Sequence, residues 1–184
     1  MKQQQQTLSP LDIVILLKLI ALGDSPWLQS NLAQSLHISQ SEVSKSFMRS
    51  KYAGLLDASA KKVSRLALME LLQYGIRYIF PQQPGAIVRG IATAHAALPL
   101  NGIIKSEEPY VWPSAKGNVR GQSILPLYPS VIEAVKKDDK LYELLALVDA
   151  IRVGRAREKE IAIKELKSRI LGITESSDFY YDIH

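Results

Sequence analysis

The residues of this sequence best suited to chemistry lie in SQSEVSKSFMRSK, residues 39 to 51: Gln40, Ser41, Ser44, Lys45, Arg49 and Lys51. Their repertoire is recognition rather than bond-making. A glutamine amide can meet an adenine edge with two hydrogen bonds, a serine hydroxyl can give or accept one, and ammonium or guanidinium groups attract phosphate. Lys61, Lys62 and Arg65 follow within one short segment and continue the basic character. Each of these cations, taken alone, is equally well an exposed solvated charge. As a set beside one polar helix they point to a polyanion.

Bond-making machinery is expected to be absent. A nucleophile with its base, paired carboxylates or a phosphate loop would show in the spacing, and none does. There is no cysteine, and the three histidines lie far apart, so neither a metal nor a cofactor is expected. His95, in TAHA, could act as a general base beside Arg89, Arg120 or Tyr110, but no spacing ties them together, and a hydrogen-bonded structural histidine is the better reading. Asp149, in LVDAIRVG, is expected to pair with a nearby arginine.

The elements that must position the recognition residues can be read from capping and periodicity. Ser39 and Glu42 have capping-box spacing and fix the start of a helix whose Val43 and Phe47 turn inward. A shorter helix precedes it, from about Gln29 to Leu36, with Leu28, Leu32, Ala33 and Leu36 on one side. Before that, Ser9-Pro10-Leu11-Asp12 opens a helix that Gly23 stops. Its apolar residues cover too much of the circumference for a surface helix, so it must be central or lie at a subunit contact.

VSRLALMELLQY predicts a fourth helix ended by Gly75, and IRYIF a strand after it. From Pro81 the chain is punctuated by proline and glycine and predicts loops with short strands. Val88-Arg89-Gly90 recurs as Val119-Arg120-Gly121, a weak sign of two similar strand-turn units. Ser130 could cap a short helix through Lys137. A longer helix carries Leu141, Leu144, Leu145, Val148 and Ile151 to Gly154, and a last one, Arg155 to Leu171, has a thinner stripe of Ile163, Leu166 and Ile170.

The run Leu32-Ala33, Gln34-Ser35, Leu36, His37, Ile38-Ser39, then Val43-Ser44, resembles the helix-turn-helix of winged-helix regulators of the MarR type. TAHAALPL, PYVWP and LVDAIRVGRARE resemble a bacterial family of helix-turn-helix proteins. The first resemblance implies that the helix from Ser39 reads a major groove, with Gln40, Ser41, Ser44 and Lys45 meeting base edges or adjacent phosphates and Arg49, Lys51, Lys61, Lys62 and Arg65 serving the backbone. Two features depart from that pattern: His37 stands where the turn usually has glycine, and residues 54–62 are short for a two-stranded wing, so that any wing is either reduced to Lys61, Lys62 and nearby backbone or supplied by the later strands.

The fold expected is α+β, mainly α: a winged-helix-like DNA-binding unit over 1–80, then a loop and short-strand region with C-terminal helices over 81–184 as a dimer or effector region. Basic excess sits at the two ends of the fold, eight basic against four acidic residues over 1–65 and seven against three over 150–171. The polar tract 2–6 is expected to fray. MKQQQQTLSP lacks the apolar core of a signal peptide, and a cytoplasmic protein without a membrane segment is expected. The function expected is a sequence-specific DNA-binding regulator, a repressor on generic grounds. Its partner is double-stranded DNA read as a homodimer, the first and the C-terminal helices providing the contact, with room for a protein partner or small effector. The rival is a protein-interaction module, such as an antitoxin-like operon partner, docking through Tyr110, Trp112 and Tyr128; an enzyme ranks third.

Overall fold

The computed structural model describes residues 6–106 and 108–173; most of the N-terminal polar tract lies outside them. The architecture is α+β and mainly helical, with one small sheet. Helix α1 (Pro10–Leu22) carries Ile13 to Leu17 at 0–1% exposure, so it lies at the centre of the molecule. This decides between the two places open to it, because a helix enclosed by its own chain offers nothing to a second subunit. Full burial of each such side chain contributes about 1.5–3 kcal/mol. At its N-terminus the Ser9 amide donates to Asp12 Oδ2 at 2.7 Å.

Helices α2 (Gln29–Ser35) and α3 (Gln40–Tyr52) follow. Leu32, Ala33, Leu36 and Val43 are buried between them, whereas Leu28, expected on that face, is 66% exposed. His37 joins the two helices at φ 55°, a left-handed turn that histidine tolerates better than most side chains. Ser46 and Ser50, both buried, are small enough to let α3 lie close on α1. Residues 55–64 then form a tight hairpin with a single bridge, Leu56 to Val63.

The expected strand at IRYIF is helical instead. Helix α4 (Arg65–Glu70) runs through a π turn (Leu71–Gly75) into α5 (Ile76–Ile79), and Gly75 does not stop it. The reason is packing: Leu68, Leu72 and Ile76, four residues apart, are all at most 1% exposed, and this core stripe outweighs the strand preference of isoleucine, tyrosine and phenylalanine. Among the described residues no helix is long and apolar enough to cross a membrane.

The middle holds strands β1 (Ile87–Thr93), β2 (Tyr110–Pro113) and β3 (Val119–Ser123), closed on one another: β1 pairs antiparallel with both, and β2 with β3 in parallel. So tight a closure needs glycine. A Cβ on Gly90 would lie 2.1 Å from the Trp112 carbonyl oxygen. The two Val-Arg-Gly copies prove to be partners in one ladder, with Arg89 opposite Arg120.

Three α-helices come last among the described residues: α6 (Val131–Ala134), α7 (Asp139–Val153) and α8 (Ala156–Leu171). The Ser130 side chain makes no cap bond, while Asp138 caps α7 through Leu141 and binds Lys18 of α1 at 2.5 Å. Helix α7 is buried nearly all round from Leu144 to Arg152 and crosses α1, and a single apolar cluster runs from Leu11 to Ile170 across both halves of the sequence. One buried carboxylate fastens the sheet to α7: Asp149 accepts from Thr93 Oγ1 (2.7 Å), Trp112 Nε1 (2.7 Å) and Arg152 Nη1 (2.9 Å), and Arg152 Nε reaches the Phe80 carbonyl.

Candidate nucleic-acid interface

Helix α3 is fixed at three places. At its start the reciprocal box is complete: Ser39 N–H donates to Glu42 Oε2 (2.8 Å) and Glu42 N–H to Ser39 Oγ (3.1 Å). The other Glu42 oxygen accepts from the Tyr128 hydroxyl at 2.7 Å, so the region after β3 grips the same cap. These donors, the Ser39 amide first, hold the Glu42 carboxyl below the ordinary glutamate range. Midway along, Val43 and Phe47 are buried, with Trp27 edge-on to Phe47 at 5.8 Å. Near the end, Arg49 holds Asp12.

The opposite face is open. Gln40, Ser41, Ser44, Lys45 and Lys51 are all exposed, and the structure brings them onto one side of α3. Met48 (58% exposed) and Tyr52 (74%) share that face and were not picked out from sequence. The signal was there, since Ser41, Ser44, Lys45, Met48 and Tyr52 follow the 3, 4, 7, 11 spacing of one helical face. Gln29 of α2 was also missed: its amide nitrogen donates to Ser44 Oγ at 2.5 Å and to the Gln40 backbone carbonyl at 3.1 Å, holding the Ser44 hydroxyl and tying α2 to the first turn of α3.

Lys61 and Lys62 are exposed on the 55–64 hairpin. Their backbone amides both donate to Asp57 Oδ1 at 2.9 Å, and that carboxyl is held below its ordinary range by the Ser59 hydroxyl first. The hairpin shares a groove with Trp27, Gln29 and Phe47, which sets its lysines alongside the α2–α3 pair.

Two predicted cations are engaged elsewhere. Arg49 makes a bidentate contact to the fully buried Asp12, with Nε to Oδ2 at 2.9 Å and Nη2 to Oδ1 at 2.7 Å. Arg65 donates from Nη1 to the Ile170 carbonyl at 2.8 Å, closing the C-terminal turn of α8, where a cation is favoured by the helix dipole. Arg49 thus commits Nε and Nη2 to the fold, and the exposed Arg65 commits Nη1.

Of the residues considered for other functions, Trp112, His95 and Asp149 are buried, Tyr110 and Tyr128 half-buried, and Arg89 and Arg120 exposed. Trp112 is 1% exposed and bound to Asp149, and Tyr128 is bound to Glu42. His95 is buried, its Nε2 2.9 Å from the Glu108 carbonyl and its ring edge-on to Tyr110 at 4.6 Å. Compared with known proteins, the chain matches no family model, no curated protein and no solved structure.

Proposed function

We propose that this chain is a sequence-specific DNA-binding regulator of the winged-helix type that acts as a homodimer, with α2 and α3 as its helix-turn-helix and α3 in the major groove. One observation carries the reading. Helix α3 is tied down by its cap, its apolar side and Arg49, yet its hydroxyl-, amide- and amine-bearing face is left exposed, as a rigid reading helix requires. Gln40, Ser41 and Ser44 then meet base edges, Lys45 and Lys51 the flanking phosphates, and the one-bridge hairpin serves as a reduced wing that brings Lys61 and Lys62 to the backbone. A reading helix of this length covers only a short site, and a two-fold dimer doubles it. Of the surface that the interaction-module reading relied on, Trp112 is buried and Tyr110 and Tyr128 are half-buried, which favours the α3 reading.

The test is binding to DNA from the region upstream of the coding sequence, measured over a salt series with the wild type and with Lys45→Ala and Lys61→Ala/Lys62→Ala. Each phosphate contact removed lowers the slope of log K against log salt by about one, while Gln40→Ala costs about 1–3 kcal/mol at the preferred site and relaxes sequence choice. Salt-insensitive binding that none of these variants alters would overturn the proposal. Sedimentation of the bound and free protein reads the dimer.

A further inference from the structure

The repeated Val-Arg-Gly tripeptide is not accounted for by α3. The sheet register lays its copies against each other: Val88 opposite Gly121, Arg89 opposite Arg120, Gly90 opposite Val119. Antiparallel pairing of two identical tripeptides has a local two-fold axis, and here the axis passes between the two arginines. Directly opposed residues leave the same face of an antiparallel pair with Cβ atoms roughly 4.5–5.5 Å apart. The other face is shut. A side chain at Gly90 would strike the Trp112 carbonyl oxygen at 2.1 Å, and one at Gly121 that of Pro109 at 2.3 Å. Both arginines therefore emerge together on the outer face, and both are exposed. The next pair along that face is Ile87 and Gln122, so an amide lies beside the two guanidiniums and no acid does. Among the described residues, neither guanidinium has an acidic partner.

Like charges directly opposite weaken a ladder. The fold gains nothing from this pair, and a ligand that neutralises it would. We propose that Arg89 and Arg120 form a phosphate clamp, in which one oxyanion on the local two-fold axis accepts N–H groups from both guanidiniums. Paired guanidinium forks suit a tetrahedral oxyanion, and charge-assisted bonds replace the repulsion. A duplex backbone and a small phosphorylated molecule both present such a group. The Ser114 amide donates to the Arg89 carbonyl, which sets the 114–118 turn beside the clamp.

The clamp is independent of how α3 works, and its test uses the full chain. Wild type, Arg89→Gln, Arg120→Gln, the double variant and Arg77→Gln, an exposed arginine on α5, are titrated with sodium phosphate while the arginine Nε–Hε resonances are followed by NMR. A 20-base-pair duplex is titrated in parallel over a salt series. If the ligand is a free phosphorylated molecule, sodium phosphate shifts the Arg89 and Arg120 resonances together, each single variant weakens binding about tenfold, and the duplex salt slope is unchanged. If it is the duplex backbone, the double variant lowers the slope by about one to two. Either result supports the clamp, with the variants melting no lower than wild type because a repulsion has been removed. Phosphate and duplex binding in the double variant equal to that of Arg77→Gln would overturn it, as would a drop in melting temperature without loss of either ligand. DNA binding untouched by Lys45→Ala, with phosphate lost on Arg89→Gln, would sink the α3 reading and leave the clamp standing.

Discussion

Arg49 and Asp12 lie 37 residues apart and meet through two parallel contacts, Nε to Oδ2 at 2.9 Å and Nη2 to Oδ1 at 2.7 Å. The same carboxylate accepts the Ser9 amide, so one acid closes the start of α1 and holds the back of α3. Asp12 is completely buried, and removal of Arg49 leaves its charge without a counterion. Loss of one partner from a dry ion pair costs about 3–5 kcal/mol. Arg49 keeps 21% of its side-chain exposure, so Arg49→Ala is expected near or somewhat below the lower end of that range by urea denaturation. Arg49→Lys should rescue little, because an ammonium cannot reproduce the two-pronged contact.

Acid should loosen α3 through Glu42. Its carboxyl is held below the ordinary range by the Ser39 amide and the Tyr128 hydroxyl. A lowered native value means that the cap is at full strength above the unfolded glutamate range and is lost as pH falls through the native value. The expected outcome is a stability that declines on acidification, with Glu42→Gln removing that portion of the pH dependence. Ser39→Ala should cost about 1 kcal/mol, read by chemical denaturation at neutral pH.

Asp149 should prove indispensable to the join between the sheet and α7. Asp149→Ala strands the Trp112 indole N–H, the Thr93 hydroxyl and the Arg152 guanidinium in the core, at a cost of about 3–5 kcal/mol. Trp112 fluorescence, isolated by Trp27→Phe, should shift to the red as water reaches the ring. An unchanged spectrum and melting point would show the carboxylate to be dispensable.

A methyl group added at Gly90 would meet the Trp112 carbonyl oxygen at 2.1 Å and Val111 Cβ at 2.9 Å, neither of which can swing aside. Gly90→Ala should therefore destabilise by at least the roughly 1–3 kcal/mol typical of overpacking, whereas Gly102→Ala, which meets nothing within 4 Å, should be nearly neutral. Thermal melts of the two variants side by side decide it.

The sequence alone determined what depends on neighbours within a turn or two. The Ser39–Glu42 box, the Pro10 start and Gly23 stop of α1, the left-handed His37 and the stripe of α7 are local bargains between side chains and nearby backbone, and spacing reveals them. The candidate site was half legible for the same reason: Gln40, Ser41, Ser44 and Lys45 face outward because Val43 and Phe47 face inward. Tertiary structure decided the rest. Ile76 joined Leu68 and Leu72 in the core and carried IRYIF into a helix against its local preference. Partners 37 and 105 residues away, Asp12 and the Ile170 carbonyl, took up Arg49 and Arg65, and no pattern around those arginines announces such long-range pairing. The two Val-Arg-Gly copies could be seen in sequence, but only a register set by sheet closure turns a repeated word into two opposed charges.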